Sequence, residues 1–304
     1  MHVFLTGATG FIGTALVRAL VARGDGCTVV SRSGRDPWSN PRVRMVRADP
    51  GMPGPWQVDV AGADVVVNLA GERIVNPPLR WTAERKARLR RSRVQVTCQV
   101  VAAIRAASRR PRLLVSGSAV GYYGSRQSDV LDESAGPGSG FLADLAREWE
   151  GAALAGRDAT SVAVVRTGMV LGPAGGVLAS LLTPFRLGLG GPWGAGDQWW
   201  PWIHQDDAVG LLLHIMDHGL SGPVNLVGPN PVTVIQFARS LAGVLGRPAI
   251  IPAPEWALRL AMGESADALL ASLRVVPARA LAEGFAFQFP ALEPALVALL
   301  KPAT

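Results

Sequence analysis

The sequence predicts an α/β protein, with a doubly wound parallel sheet, helices on both faces and a smaller, mostly helical C-terminal region. Two observations carry this prediction. The chain opens with a short apolar strand, a glycine-rich turn and an amphipathic helix, which is how a βαβ unit begins. Further short, valine-rich runs then alternate with helical patterns as far as about residue 228, which is typical of a parallel sheet.

The turn after the first strand has the spacing Gly-x-x-Gly-x-x-Gly, at Gly7, Gly10 and Gly13. In a Rossmann-type fold such glycines permit, in order, a tight turn, close approach of the backbone to a pyrophosphate, and close helix packing. The N-terminus of the following helix offers N–H groups and a positive dipole end to phosphates. An ordinary glycine-rich turn is the weaker alternative, because a strand and a helix flank this one. The expected cofactor-binding residues here are Thr6, Gly7, Thr9, Gly10, Phe11, Ile12 and Gly13.

The end of the second strand predicts which dinucleotide is bound. An acid about 20 residues beyond the glycines binds the ribose 2′-hydroxyl of NAD, whereas a cation there accommodates the 2′-phosphate of NADP. Arg32 occupies this place, directly after the strand at residues 27–30, and its planar guanidinium suits bidentate contact with phosphate. We therefore expect NADP(H), held by Arg32 together with Ser31, Ser33 and Arg35. The alternative is a surface arginine in an arginine-rich chain.

Two later strands add candidate cofactor contacts. Residues 43–46 form a short strand that leads to Asp49, where many proteins of this fold contact the adenine. Residues 63–68 form a buried strand that runs into Leu69, Ala70 and Gly71, and its carboxyl end is expected beside the cofactor. A proline-containing loop over 72–79, a long helix over 82–107 and a strand over 113–116 follow.

Composition limits the class of protein. The 304 residues are 49% hydrophobic, enough for a sizeable core, and the apolar runs are too short to span a membrane. Cys27 and Cys98 suit a reducing compartment, and no signal peptide precedes the first strand, so we expect a cytoplasmic protein. The segment from Arg80 to Arg112 holds eleven cations and one acid, Glu84. Without an aromatic stacking array it is interpreted as a solvated helix face, which makes nucleic-acid binding an unfavoured alternative.

Several motifs together resemble a known family. They are Arg80-Trp81-Thr82, the stretch from Ser118 to Gly124 with its Gly-Tyr-Tyr-Gly, Arg166–Pro173, Gly188–Pro192, Trp202–Asp207 and Pro229–Thr233. With them, essentially the whole chain resembles an extended short-chain dehydrogenase/reductase, and more narrowly the atypical epimerase-family proteins of the YfcH type. The resemblance implies an NADP-dependent oxidoreductase or epimerase. Arg166 and Thr167 are expected to bind the cofactor, with contact between Arg166 and an anionic group of the substrate as the alternative.

The catalytic pair of the wider family is missing. Those enzymes pair a tyrosine with a lysine four residues later, and the lysine's charge lowers the tyrosine's pKa. The two tyrosines here, Tyr122 and Tyr123, have no such lysine, and the family spacing falls on Leu142 and Ala146.

Ser118 is expected to hold the substrate oxygen, with Ser116 as the adjacent option, while Tyr122 or Tyr123 moves the proton. Other substitutes are Asp144, Arg147 and His204; the alternative for the tyrosine pair is core packing with a hydrogen bond.

The substrate side is expected at 171–304, with residues 1–170 as the NADP-binding domain and the sheet completed by about 200–228. The tryptophans between 193 and 202 are interpreted as core or as a hinged lid, and Asp206 or Asp207 as the cap of a helix over 208–217. No metal site is predicted. The candidate substrate-binding residues are Glu72, Arg80, Trp81, Arg186, Trp202 and His204.

Three functional hypotheses follow. The first is an NADP(H)-dependent oxidoreductase or epimerase-like enzyme acting on a small molecule, such as an anionic compound or a sugar nucleotide. The second is a non-catalytic NADP(H)-binding sensor or regulatory module, and the third is a nucleic-acid binder. By analogy with related folds, a homodimer could form through the helices at 82–107 and 141–155.

Overall fold

The computed structural model describes residues 1–74, 80–173 and 175–301. Part of the predicted loop over 72–79 therefore lies outside the described residues. The strands are β1 His2–Thr6, β2 Gly26–Ser31, β3 Val43–Arg47, β4 Val65–Asn68, β5 Leu113–Ala119, β6 Val130–Leu131, β7 Ser161–Thr167, β8 Met169–Leu171, β9 Trp199–Trp200, β10 Trp202–His204, β11 Gly222–Leu226, β12 Val232–Thr233 and β13 Arg274–Val275.

The helices alternate with these strands over most of the chain. They are α1 Phe11–Ala22, α2 Ala83–Arg90, α3 Val96–Ala106, α4 Phe141–Leu154, α5 Gly176–Arg186, α6 Gln205–His218, α7 Val234–Leu245, α8 Glu255–Met262, α9 Asp267–Leu270, α10 Ala278–Ala282 and α11 Leu292–Leu300. Short 3₁₀ segments lie at Pro55–Gly62, Val120–Tyr123, Ala155–Asp158 and Gly263–Ala266.

Seven strands form one parallel sheet in the order β3-β2-β1-β4-β5-β7-β11. The chain moves outward in one direction from β1 to β3 and in the other from β4 to β11. Loops after β1 and β4 therefore diverge and leave a crevice at the carboxyl end of the sheet, where this fold binds ligands. The predicted doubly wound parallel sheet is confirmed.

Both faces of the sheet are buried, which explains why its strands read as nearly continuous apolar runs. Val3, Leu5 and Val67 point to the face covered by α1 and α6. Phe4, Val66 and Leu114 point to the opposite face, beneath α3. Alternate side chains of each strand therefore belong to two separate cores.

The C-terminal region has a core of its own. Leu178 and Leu182 of α5 and Phe237 and Leu241 of α7 pack with the first turns of α11. Trp193, Trp200 and Trp202 lie in the same cluster, almost fully buried. These three tryptophans are therefore core residues, and the lid interpretation of the stretch is wrong for them. The division of the chain near residue 170 stays a prediction.

Helix ends show how closely local signals match the fold. Thr233 caps α7 with a capping box, and Gly246 ends that helix in the left-handed conformation, as expected. The predicted helix over 82–107 is present, but the segment Arg91–Gln95 between α2 and α3 has π-helical geometry. No described helix is long and apolar enough to cross a membrane.

Candidate functional site

The glycine-rich turn is pressed against the loop that follows β4. Gly7 has a positive φ of 71°, and a Cβ atom there would lie 2.4 Å from the carbonyl carbon of Leu69. A Cβ at Gly13 would lie 2.5 Å from the Cα of Ala8, so α1 starts tightly against the turn. Gly10 has an ordinary φ of −79° and is the N-cap of α1. The backbone geometry therefore requires glycine at Gly7 and Gly13, and it forms one wall of the crevice.

The N-terminus of α1 is suited to an anion. No described side chain caps the helix, and its first turn contains no acid. The positive end of the dipole is therefore not neutralised by the protein. Thr9 and Gly10 are exposed, whereas the Phe11 ring packs under Gly172 and Gly175. The turn fits a pyrophosphate, and Phe11 ties it to the segment that starts α5.

Cations gather at the carboxyl ends of β2 and β3. Arg32 and Arg35 are exposed, and neither has a carboxylate partner among the residues that the structure describes. The hydroxyls of Ser31 and Ser33 lie 3.2 Å apart beside them. Arg47, which sequence reasoning missed, pairs with Ser31 in the β2–β3 register, and its stem packs 3.0 Å from the Cβ position of Gly34. The donors present fit a 2′-phosphate.

The loops beyond β3 and β4 are held by side-chain hydrogen bonds. Asp49 accepts from the backbone N–H of Gly51 at 2.9 Å and remains exposed. Below the crevice, Thr6 donates to Asn68 at 2.6 Å, and Asn68 donates to Thr97 of α3 at 2.8 Å. Thr6 is fully buried, so it supports the crevice floor and does not line the crevice.

Ser118 belongs to a buried ion-pair network. Ser118 and Arg166 are register partners on β5 and β7, so their side chains lie on one face of the sheet. Glu150 reaches both from α4: its carboxylate accepts from Ser118 Oγ at 2.6 Å and from Arg166 Nε and Nη2 at 2.9 and 3.0 Å. All three side chains are at most 6% exposed. Burial opposes the charge of Arg166, but its hydrogen bonds with Glu150 and Tyr123 hold its pKa above the ordinary value.

Tyr123 closes this network on the other side. Its hydroxyl donates to Asn225 Oδ1 at 2.6 Å and accepts from Arg166 Nη1 at 3.0 Å. Asn225 is the register partner of Arg166 on β11, so the row crosses three strands. Burial raises the pKa of Tyr123 to about 12, which keeps the phenol neutral at physiological pH. Tyr122 differs: it is half-buried, and its ring centroid lies 3.6 Å from the Arg166 guanidinium carbon.

The helix that carries the Tyr/Lys pair in the wider family carries Glu150 here, and sequence reasoning assigned it no role. Leu142 and Ala146 hold the expected positions and have no groups that ionise. A signal existed, because Glu150 falls on the buried stripe formed with Ala143, Ala146 and Ala153. An acid on a buried stripe requires a partner, and here the partner is Arg166. Arg166, expected beside the cofactor, is thus engaged by protein groups.

The predicted substrate residues do not form one group. Trp81 and Trp202 are buried, and their indoles donate to the carbonyls of Ile74 and Asn230 at 3.0 Å each. The Arg80 guanidinium donates to the carbonyl of Leu260. The other three divide between surface and core: Glu72 pairs with Arg85, Arg186 is exposed at the end of α5, and His204 is buried. Their assignment to a substrate stays a prediction.

The cap of α6 corrects an expectation. His204 is the N-cap, and its Nδ1 accepts from the N–H of Asp206 at 3.1 Å. Asp207 is buried and accepts from the N–H groups of Gln288 and Phe289 at 2.7 and 2.9 Å. Neither acid caps the helix with its side chain, because His204 already occupies that role. Asp207 instead fastens the C-terminal region to α6.

The buried His204 is expected to make the free energy of unfolding depend on pH. Burial lowers its pKa despite the opposing charges of Asp206 and Asp207, so the ring takes up a proton at a lower pH in the folded protein than in the unfolded chain. His204 therefore contributes stability at neutral pH that is lost as pH falls from about 6.5 through the lowered folded pKa. We expect His204→Asn, which keeps a capping side chain, to lose less unfolding free energy between pH 7 and pH 5 than wild type. Urea denaturation at both values measures this, and identical losses would contradict the assignment.

The basic run at Arg80–Arg112 is not one uniform face. Arg93 is buried, and Arg112 donates to the carbonyl of Met216 at 2.7 Å. The paired cations have carboxylate partners on other elements: Arg85 and Arg88 with Glu72, Lys86 with Glu264, Arg90 with Glu148, Arg105 with Asp158 and Arg109 with Asp64. Nothing in this arrangement favours the nucleic-acid hypothesis.

The fold and the crevice define a Rossmann-type nucleotide-binding protein, and comparison with known proteins gives its family. The family model described as NAD dependent epimerase/dehydratase family matches residues 3–228, and one described as a domain of unknown function (DUF1731) matches residues 253–299. The chain belongs to the NAD dependent epimerase/dehydratase family, which confirms the resemblance found in the sequence.

Individual relatives match over nearly the whole chain. Human Epimerase family protein SDR39U1 is 40% identical over 97% of this chain and 98% of its own. A crystal structure of human SDR39U1 (isoform2) with NADPH superposes with a TM-score of 0.87, 37% identity and full coverage of both chains. A nucleoside-diphosphate sugar epimerase from Corynebacterium glutamicum superposes with a TM-score of 0.79 and 32% identity, over 99% of this chain and 58% of that one.

Proposed function

We propose that the chain binds NADP(H) in the crevice between the loops after β1 and β4. The observation that carries this proposal is Arg32, an exposed cation without a carboxylate partner in the described part of the chain, directly after β2. Arg35 and Arg47 add charge beside it, and the uncapped α1 supplies N–H groups for the pyrophosphate. The human relative solved with NADPH supports the same cofactor.

We further propose an oxidoreductase or epimerase-like reaction on a small, hydroxyl-bearing substrate, with a sugar nucleotide as the first class to test. A bound NADP(H) would supply hydride exchange with a substrate carbon. The Ser118 hydroxyl donates its hydrogen bond to Glu150. Its oxygen can therefore accept a hydrogen bond from a substrate hydroxyl. Tyr123 keeps its proton and its bond to Asn225, which leaves Tyr122 as the tyrosine available for proton transfer.

The Tyr122→Phe variant tests this reaction. If Tyr122 moves the proton, turnover falls by about 100-fold while the dissociation constant for NADPH stays unchanged, because the ring still packs on Arg166. The measurement is absorbance at 340 nm with NADP⁺ and a panel of polyols and sugar nucleotides, beside NADPH titrations. A variant that turns over as fast as wild type would remove Tyr122 from the mechanism.

A second candidate, a non-catalytic NADP(H)-binding module, is favoured by one observation. A bidentate buried ion pair, Glu150 with Arg166, engages the serine that the reaction would use and also holds the neighbouring Tyr123. Such a module binds NADPH but oxidises or reduces no member of the panel. NADPH binding with no turnover in wild type would favour this candidate over the enzyme.

A further inference from the structure

The π-helical segment between α2 and α3 contacts both loops of the adenine half of the crevice. π-turns inside α-helices are uncommon and often occur at functional sites, because the extra residue moves a side chain out of helical register. Ser92 accepts from the N–H of Glu72 at 3.1 Å, and Arg93 Nη2 donates to the carbonyl of the same residue at 2.7 Å. Gln95 donates to the carbonyl of Gly51 at 2.8 Å. One turn thus fixes the loops after β3 and β4.

Arg93 is the charged member of this turn, and it is only 7% exposed. Its hydrogen-bond acceptors are all neutral: the carbonyls of Glu72 and Leu89 and the hydroxyl of Ser92, at 2.7, 3.3 and 3.3 Å. Among the described residues it has no carboxylate within ion-pair distance, since the carboxylate of Glu72 pairs with Arg85. The Trp149 ring centroid lies 5.3 Å from its guanidinium carbon.

A buried cation without a neighbouring anion is unfavourable. Burial lowers the pKa of Arg93 to about 10; the charge of Glu72 opposes this shift, and that of Arg85 adds to it. The local groups therefore leave net positive charge next to the loop. An anion on the far side of that loop would supply the missing compensation.

The guanidinium lies directly behind the crevice wall. A Cβ at Gly71 would come within 3.1 Å of the Arg93 Cζ atom, so glycine allows the loop to rest on the cation. Two residues earlier, the carbonyl carbon of Leu69 meets the glycine-rich turn at Gly7. Arg93 and the turn that receives the pyrophosphate are thus separated by a single stretch of backbone.

We propose that Arg93 is a positioning residue for the dinucleotide: it fixes the Leu69–Glu72 loop, and the phosphates of the bound cofactor balance its charge. This rests on the proposed NADP(H) function. The ligand class it favours is a polyphosphorylated nucleotide over a neutral nucleoside.

Matched substitutions separate the charge from the hydrogen bond. Arg93→Gln keeps a donor for the carbonyl of Glu72 and removes the charge, whereas Arg93→Lys keeps the charge. Arg91→Gln is the control, because Arg91 lies on the same turn, is exposed and carries the same charge. NADPH is titrated by tryptophan fluorescence at low and high salt, with urea denaturation of the unliganded proteins alongside.

Arg93→Gln should bind NADPH about tenfold more weakly than wild type at low salt. The ratio of the two dissociation constants should be smaller at high salt. Arg91→Gln should bind as wild type does, and Arg93→Lys within about threefold. If Arg93→Gln is less stable but binds like Arg91→Gln, Arg93 is only a structural brace and the proposal is overturned. If Arg93→Gln does not fold, Arg93→Lys decides, and a tenfold loss in it overturns the proposal. Wild type that binds no NADPH overturns the proposed function itself.

Discussion

Replacing Arg32 with alanine is expected to abolish the preference for NADPH over NADH. The two cofactors differ only in the 2′-phosphate, and charge-assisted hydrogen bonds to such a group contribute about 2 kcal/mol, roughly 30-fold in affinity. Because Arg32 is exposed and has no described carboxylate partner, its removal should leave folding and NADH binding unchanged. Calorimetric titration of both cofactors into wild type and variant measures the effect.

Two further variants locate the 2′-phosphate site. Arg47→Ala should weaken NADPH binding less than Arg32→Ala, because Arg47 lies one strand further from β1. Arg18→Ala removes an exposed cation two turns into α1 and serves as the matched control for net charge. Equal losses for all three variants would show a general charge effect and would contradict a specific contact.

Breaking the buried ion pair is expected to have the largest effect on stability. Glu150→Met leaves Arg166 buried without its anion, and Arg166→Met leaves Glu150 without its cation, so each should lower the unfolding free energy by about 3–5 kcal/mol. The double variant should be less destabilised than the sum of the two, because no unpaired charge remains. Urea denaturation of wild type, both single variants and the double variant completes the cycle.

Glu148, two residues before Glu150 on α4, provides the control for the buried ion pair. Glu148 pairs with Arg90 at the surface, with both side chains more than 40% exposed. Glu148→Met should therefore cost less than about 1 kcal/mol. If the losses of unfolding free energy in Glu150→Met and Arg166→Met simply add in the double variant, the two side chains are not coupled. That result would contradict a role of the ion pair in holding Ser118.

The parts of the site that sequence predicts are those set by local backbone geometry. Gly7 is predicted from the positive φ of the turn, Gly13 from its contact with Ala8 in the same strand–turn–helix unit, and Arg32 from its position directly after the next strand. Each of these depends on neighbours close along the chain. The fold class follows in the same way, from alternating strands and helices.

The parts that sequence does not predict depend on register between distant elements. Ser118, Arg166 and Asn225 form one row only because β5, β7 and β11 align at these residues, and a shift of one residue would turn the side chains to the other face. Glu150 completes the row from a helix whose rotation is set by packing.

The buried position of Arg93 could not be predicted from the sequence for a different reason. Arg93 lies on the buried stripe of its helix with Leu89, Val96 and Val100. Because it is one of many arginines in this segment, the sequence suggests an exposed residue on a basic face. Arg93 also lies in a π-helical turn, whose place an α-helical period cannot predict, and its guanidinium packs against Gly71. A charged residue on an apolar stripe is the signal that marks both Arg93 and Glu150.

The most direct test of the NADP(H) assignment is a pair of titrations of wild-type protein, one with NADPH and one with NADH, followed by tryptophan fluorescence at fixed ionic strength. The arrangement of Arg32, Arg35 and the α1 N-terminus predicts saturable binding of both, with NADPH bound at least tenfold more tightly. Equal affinities would contradict the 2′-phosphate site at Arg32. Absence of binding by either would contradict the crevice as a dinucleotide site.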